Sequence, residues 1–170
     1  GRLSCPMVLR APFGGGIHAP EHHSESAEAM LAHIPGLRVV VPSSPRQAYG
    51  LLLASIRDPD PVVFLEPKRL YRATKEQVED DGVAIPLDQA RIVNLGTDVT
   101  LVSWGSMVQE CEKAVYQLSE NGISSELIDL ATLKPIDEQA LLSSVEKTGR
   151  CVIVHEAAKT AGFGGEIAAV

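Results

Sequence analysis

Three of the five histidines in this chain of 170 residues fall in one stretch, GGGIHAPEHHSES, residues 14–26. Imidazole changes charge near neutral pH, so each of His18, His22 and His23 is a candidate for proton transfer or metal binding. The spacing His18-Ala-Pro-Glu21-His22 matches an inverted zinc-protease pattern. That chemistry needs both rings on one face of a helix to converge on a metal. Pro20 and the three preceding glycines oppose a helix there, so zinc is not the favoured reading. Acid–base or electrostatic work by a single histidine fits better. His23 stands immediately before an expected helix start, where the dipole favours the neutral ring. Such a ring can donate a hydrogen bond to a substrate oxygen and accept a proton near pH 7. Position alone does not separate His23 from His22, and a solvated polar loop is the plain alternative.

Other chemistry-bearing types are less pointed. GFGG, residues 162–165, follows a strand but lacks the full dinucleotide-loop spacing, so a structural turn is expected. Ser24 and Ser26 have no nucleophile-elbow context. His155, Glu156, Asp129 and Asp137 sit at strand or loop ends and read as solvated polar ends that could line a cleft. Of the three cysteines, Cys111 and Cys151 lie in apolar periodic segments and are expected as buried thiols of a reducing compartment; no CxxC pair exists.

The elements that must carry these residues alternate between strand and helix. Strands are expected at 5–10, 37–41, 61–67, 99–104, 125–130 and 151–156. A helix after Ser24 should face inward through Ala27, Met30, Leu31 and Ile34, ending at Pro35-Gly36. Ser44-Pro45-Arg46-Gln47 and Ser106-Met107-Val108-Gln109 both read as capping boxes. The second opens a helix with Val108, Cys111, Val115 and Leu118 on one face and Asn121-Gly122 as its left-handed stop. Asp137 caps a further helix through Lys147. The rhythm breaks over 68–98, which offers only short extended stretches such as 90–94. The fold class is therefore α/β, with two parallel-sheet units bearing helices on both faces. The units are expected at 1–71 and 99–170, with a linker over 72–98.

Composition removes several classes. The net charge is −7, without the basic stripe that nucleic acid needs. No apolar run approaches the ~18 residues of a membrane span. A hydrophobic share of 45% with only 4% aromatic predicts a real core made of aliphatic side chains. Both ends look cut: the first residues lie close to a strand, and GGEIAAV reads as a helix just starting.

The string HHSESAEAMLAHIPGLRVVVPSSPRQAYGLLLASIRDPDPVVFLEPKRLYR resembles the beta subunits of thiamine-diphosphate-dependent 2-oxo acid dehydrogenases. LGTDVTLVSWG, SSELIDLATLKPID and KTGRCVIVHEA resemble the transketolase-like C-terminal domain of those subunits. The resemblance covers essentially the whole chain and makes the first unit part of a pyrimidine-binding domain. EPKRLYR points to the branched-chain (2-oxoisovalerate) enzymes, with pyruvate and acetoin dehydrogenases as the alternatives.

The resemblance implies an alpha2-beta2 heterotetramer serving a lipoyl acyltransferase core, in a bacterial cytoplasm or a mitochondrial matrix. Thiamine diphosphate would be shared with the alpha subunit, which would also hold magnesium. The family's HSQS histidine falls on His23, implied to assist acyl transfer to lipoamide. A potassium ion would be held by Cys5, Met7, Val8, Ser55, Asp58 and Asp60, mostly through main-chain carbonyls. The family glutamine of HSQS is Glu25 here, whose charge would favour imidazolium at His23 if the two are close. The family glutamate that meets the aminopyrimidine ring would lie before Gly1, so the isolated chain is expected to be inactive. A non-catalytic interaction module of the same fold is the reading from another class.

Overall fold

The computed structural model describes residues 3–170. Apolar runs without alternation make strands that are covered on both faces. VVFLEP forms β3 (Val62–Pro67) and SELID forms β6 (Ser125–Asp129), both nearly continuous in burial. In the first sheet, β3 lies between β1 (Val8–Phe13) and β2 (Arg38–Val40), all three parallel. In the second, β5 (Val99–Ser103) lies parallel between β6 and β8 (Cys151–Val154).

Each sheet also has an antiparallel edge that the sequence reading lacked. β4 (Arg91–Asn94) pairs with β6, inside the stretch read as linker. β7 (Thr132–Lys134) leaves the second unit and pairs with β2 of the first sheet. One hydrogen bond holds that crossing at its start: Val41 N–H donates to the carbonyl of Ala131, which takes φ +53°, at 2.7 Å.

The helices are α1 (Glu28–Ala32), α2 (Pro45–Arg57), α3 (Leu70–Ala73), α4 (Met107–Glu120), α5 (Glu138–Thr148) and α6 (Gly164–Ile167). No helix among the described residues is long and apolar enough to cross a membrane. Ser44 caps α2 as expected, accepting from Gln47 N–H at 3.2 Å. Asp137 caps α5 through Ala140 N–H at 3.0 Å. Ser106 does not cap α4. It is already helical (φ −66°, ψ −24°), because Gly105 at φ +58° turns the chain one residue earlier, and its hydroxyl is buried without a partner.

Two further expectations change. The strand expected at 5–10 begins only at Val8 and runs to Phe13. α1 is a single turn that buries Glu28 and Ala32, with Ala29 and Leu31 packed beside the core. Met30 and Ile34, expected inside, are 69% and 46% exposed. With so short a helix, the docking of one turn against the sheets decides the inner face, and apolar periodicity has too few residues to decide it. Cys111 is buried on α4, but Cys151 is exposed, because β8 is an edge strand with little covering its outer residues.

One core cluster joins the units. Phe13, Val39, Val41, Val63 and Leu65 of the first sheet pack with Val102, Trp104, Ile128, Leu130 and Leu133. α4 seals a smaller cluster through Val108 and Cys111, with Val115 and Leu118 alongside, the face expected from spacing.

Candidate active-site loop

The histidine stretch joins the carboxyl end of β1 to α1, where open parallel sheets bind ligands. Its base is closed by Gly14 N–H donating to the Glu25 carbonyl at 3.0 Å. Inside it, His18, Glu21 and His22 take φ of 55°, 31° and 52°. Left-handed backbone at three side-chain-bearing residues excludes the helix a zinc-protease motif requires. Among the described residues no cluster of three or more His, Cys, Asp or Glu is placed to hold a metal.

His23 is exposed, and its Nδ1 lies 2.7 Å from the Glu21 carbonyl and 3.1 Å from the Pro20 carbonyl. A ring nitrogen facing carbonyl oxygens must carry the proton, so Nδ1–H donates and the neutral ring keeps Nε2 as its acceptor. Donation from Nε2 to a substrate oxygen then requires the imidazolium, a narrower role than the sequence suggested. The dipole argument also lapses. α1 begins at Glu28, not immediately after His23, and a single turn has little dipole to offer. Glu25 does not reach His23: its carboxylate sits 3.0 Å from His22 Nδ1, a pair mostly in solvent and worth little. The His23 carbonyl is gripped by the Lys68 ammonium, and Ser24 Oγ donates to the Ala19 carbonyl at 2.8 Å. Ser24 therefore has a structural partner rather than a catalytic base.

The other candidates resolve into packing. Asp129 is fully buried and accepts from Ser43 Oγ at 2.5 Å and Gln47 Nε2 at 2.8 Å. Burial pushes its carboxyl up, and those hydrogen bonds oppose the shift. Asp137 is spent on its cap and on Ala90 N–H at 2.9 Å. His155 stacks on Trp104, with ring centroids 5.3 Å apart and an 11° tilt; burial pulls its pKa down. GFGG curls over that imidazole: a Cβ on Gly164 would lie 2.6 Å from His155 Nε2. Close packing explains the turn without a nucleotide.

Cys5, Met7, Val8, Ser55, Asp58 and Asp60 come to one junction, where Cys5 N–H donates to the Pro59 carbonyl at 3.0 Å. Asp58 gives one oxygen to Asp60 N–H at 2.8 Å and holds the other 3.1 Å from Arg38 Nε. The Met7 carbonyl accepts from Val62 N–H at 2.9 Å, and Ser55 Oγ is turned onto the Leu51 carbonyl at 2.7 Å. Among these oxygens, the Asp58 carboxylate, the Ser55 hydroxyl and the Met7 carbonyl already have partners within the chain.

Two neighbours of the histidine loop have places that the sequence did not show: Glu28 stood in no motif, and Glu156 read only as a solvated polar end that could line a cleft. Glu28 is completely buried with neither carboxyl oxygen hydrogen-bonded. Glu156, two residues beyond β8, accepts from Gly15 N–H at 3.3 Å. Neither lies in a readable motif, because each acts across an interface between the units. Two grooves among the described residues lie elsewhere. One, of about 390 Å³, is lined by Arg10, Tyr49, Phe64, Glu66 and Tyr71; the other, of about 550 Å³, by His33, Lys134, Glu138 and Glu166.

Two sheets of three parallel strands, each with one antiparallel edge, and a strand of the second unit completing the first, define the class of protein. Residues 1–74 match the transketolase pyrimidine binding domain, and residues 88–170 match the transketolase C-terminal domain. The chain thus has the α/β fold of these transketolase domains and matches the two in that order. Its similarity runs, more narrowly, to the E1 beta subunits of 2-oxo acid dehydrogenases. It is 56% identical over 167 residues to the pyruvate dehydrogenase E1 component subunit beta of Acholeplasma laidlawii, covering 98% of this chain and 51% of that one. It is 52% identical over 163 residues to the mitochondrial 2-oxoisovalerate dehydrogenase subunit beta 2 of Arabidopsis thaliana, covering 96% and 46%. A solved split-gene transketolase, described as an inactive beta4 tetramer, superposes with a TM-score of 0.80 at 25% identity, over 95% of this chain and 51% of that one. The chain thus spans about half the length of these relatives. EPKRLYR does not sort it into the branched-chain branch, since the pyruvate-type relative matches at least as well.

Proposed function

We propose that this chain is part of the beta subunit of a 2-oxo acid dehydrogenase E1 component, bringing His23 to a site completed by an alpha subunit in a heterotetramer that feeds a lipoyl acyltransferase. The observation that carries the reading is the exposed His23 ring, tied down at Nδ1 and open at Nε2, at the carboxyl end of a parallel strand. Pyruvate is the preferred substrate in this reading, supported by the pyruvate dehydrogenase beta subunits among the relatives; the branched-chain acids are the alternative. Thiamine diphosphate, bound between the subunits, would supply the carbanion chemistry. His23 would act on protons: Nε2 of the neutral ring accepts one, and the imidazolium gives it to the lipoyl sulfur released as that group's disulfide opens to take the acyl group.

His23→Ala in the assembled enzyme is expected to lower acyl transfer to lipoamide about 10²–10⁴-fold. Turnover equal to wild type would sink the assignment. The same reading expects the chain without an alpha partner to be inactive. The inactive beta4 transketolase fits that expectation, as does a non-catalytic scaffold role; activity on adding the alpha subunit separates the two.

A further inference from the structure

We infer that Glu156 is the positioning residue for His23, holding the glycine-rich root of the histidine loop from the neighbouring unit. The inference rests on the role proposed for His23 and adds the device that places it. Glu156 lies two residues beyond β8, and its Oε2 accepts the Gly15 N–H at 3.3 Å. Gly14 is shaped for this approach: it holds φ +77°, and a Cβ there would lie 2.1 Å from Glu156 Oε1. The same Gly14 donates to the Glu25 carbonyl at 3.0 Å, so the carboxylate grips the point where both ends of the loop meet.

Two cations fasten the rest. Lys68 holds the His23 carbonyl, while Arg69 lies along Gly16 and pairs with Glu110 of α4. The loop's own sequence contains no residue able to set its angle to the sheets, and its backbone runs through left-handed conformations without helical or ladder bonds. Its orientation must therefore come from outside. Glu156 is the group that supplies it from the second unit at the root. It touches no reacting atom; it acts through the position of His23.

The test compares Glu156→Ala, which removes the acceptor, with Glu156→Gln, whose amide oxygen can still take the Gly15 N–H. In the assembled enzyme, Glu156→Ala is expected to lower kcat by ten- to a hundredfold with KM little changed, the cost of an ångström-scale misplacement. Glu156→Gln should recover most of that loss. In a His23→Ala background, Glu156→Ala should add nothing, because both act through one group. A wild-type rate for Glu156→Ala, equal losses for both variants, or losses that multiply with His23→Ala would each overturn the inference.

A second readout does not depend on turnover. The ¹⁵N resonances of the His23 ring should move in Glu156→Ala and stay in Glu156→Gln; unmoved resonances in both would overturn the positioning role. Wild-type turnover in His23→Ala, by contrast, would remove the catalytic role of His23 and leave the ring-shift result to decide the positioning. Should Glu156→Ala fail to fold, Glu156→Asp, one methylene short of Gly15, carries the same expectations.

Discussion

Glu28 is a fully buried carboxyl whose two oxygens lack a hydrogen-bond partner, at the start of α1 just after the histidine loop. Burial pushes its pKa up. Its own backbone N–H and the Trp104 side chain stand close enough to offset this in part, while the nearby charge of Glu156 adds to the push. A carboxyl whose folded pKa is raised binds its proton more tightly in the native state. Its contribution is fully present below the ordinary carboxylate range and is lost as pH rises through the raised value. Glu28→Gln removes that titration. Relative to wild type, the variant should gain stability as pH rises from about 4.3, the ordinary Glu value, towards neutrality, at up to about 1.4 kcal/mol per pH unit. Urea midpoints for both proteins across that range would check it; parallel pH profiles would refute it. No sequence pattern marks Glu28, which sits in a helix too short for periodicity to point inward or outward.

β7 is the element that changes the architecture. By sequence, LATLKPID is a loop between Asp129 and Asp137; in the fold it carries a strand that adds to β2. Three residues are too few to show alternation, and the pairing partner is about ninety positions away in the chain, so only contact across the molecule reveals it. The strand is supported at its entry by Asp129, where Ser43 and Gln47 from the first unit converge. Asp129→Ala would leave the Gln47 side-chain amide and the Ala131 N–H without their acceptor, costing about 1–3 kcal/mol. Chemical denaturation should register that loss; an unchanged midpoint would mean these groups find other partners. Longer elements were easier to read. α2 and α5 have their caps at Ser44 and Asp137, and α4 has its apolar face at Val108, Cys111, Val115 and Leu118. Each records enough turns, or a sharp enough start, to fix its boundary locally.

Because β7 and a shared core tie the units together, the fold should come apart as one body. Ile128 is fully buried in the cluster that both sheets build. Ile128→Ala is expected to cost about 2–5 kcal/mol and to shift a single transition. Trp104, the only tryptophan, packs in the same cluster and reports on it by fluorescence. Its unfolding curve should coincide with that from far-ultraviolet circular dichroism; two separated transitions would show the units to be independent.

Local chemistry was enough to establish the alternation of strands and helices, the α/β class, two of the three expected helix caps and the histidine-bearing turn after β1. These follow from side-chain period, turn residues and capping groups, which act within a few positions of one another. The tertiary structure decided the rest: that β7 crosses to the other sheet, that Cys151 lies on an open edge, that Nδ1 of His23 is the tethered nitrogen, and that Glu28 is buried and Glu156 lies against the loop. All of these depend on which distant surfaces meet. Contacts between residues a hundred positions apart are set by the packing of whole sheets, and leave no periodic trace in the chain itself.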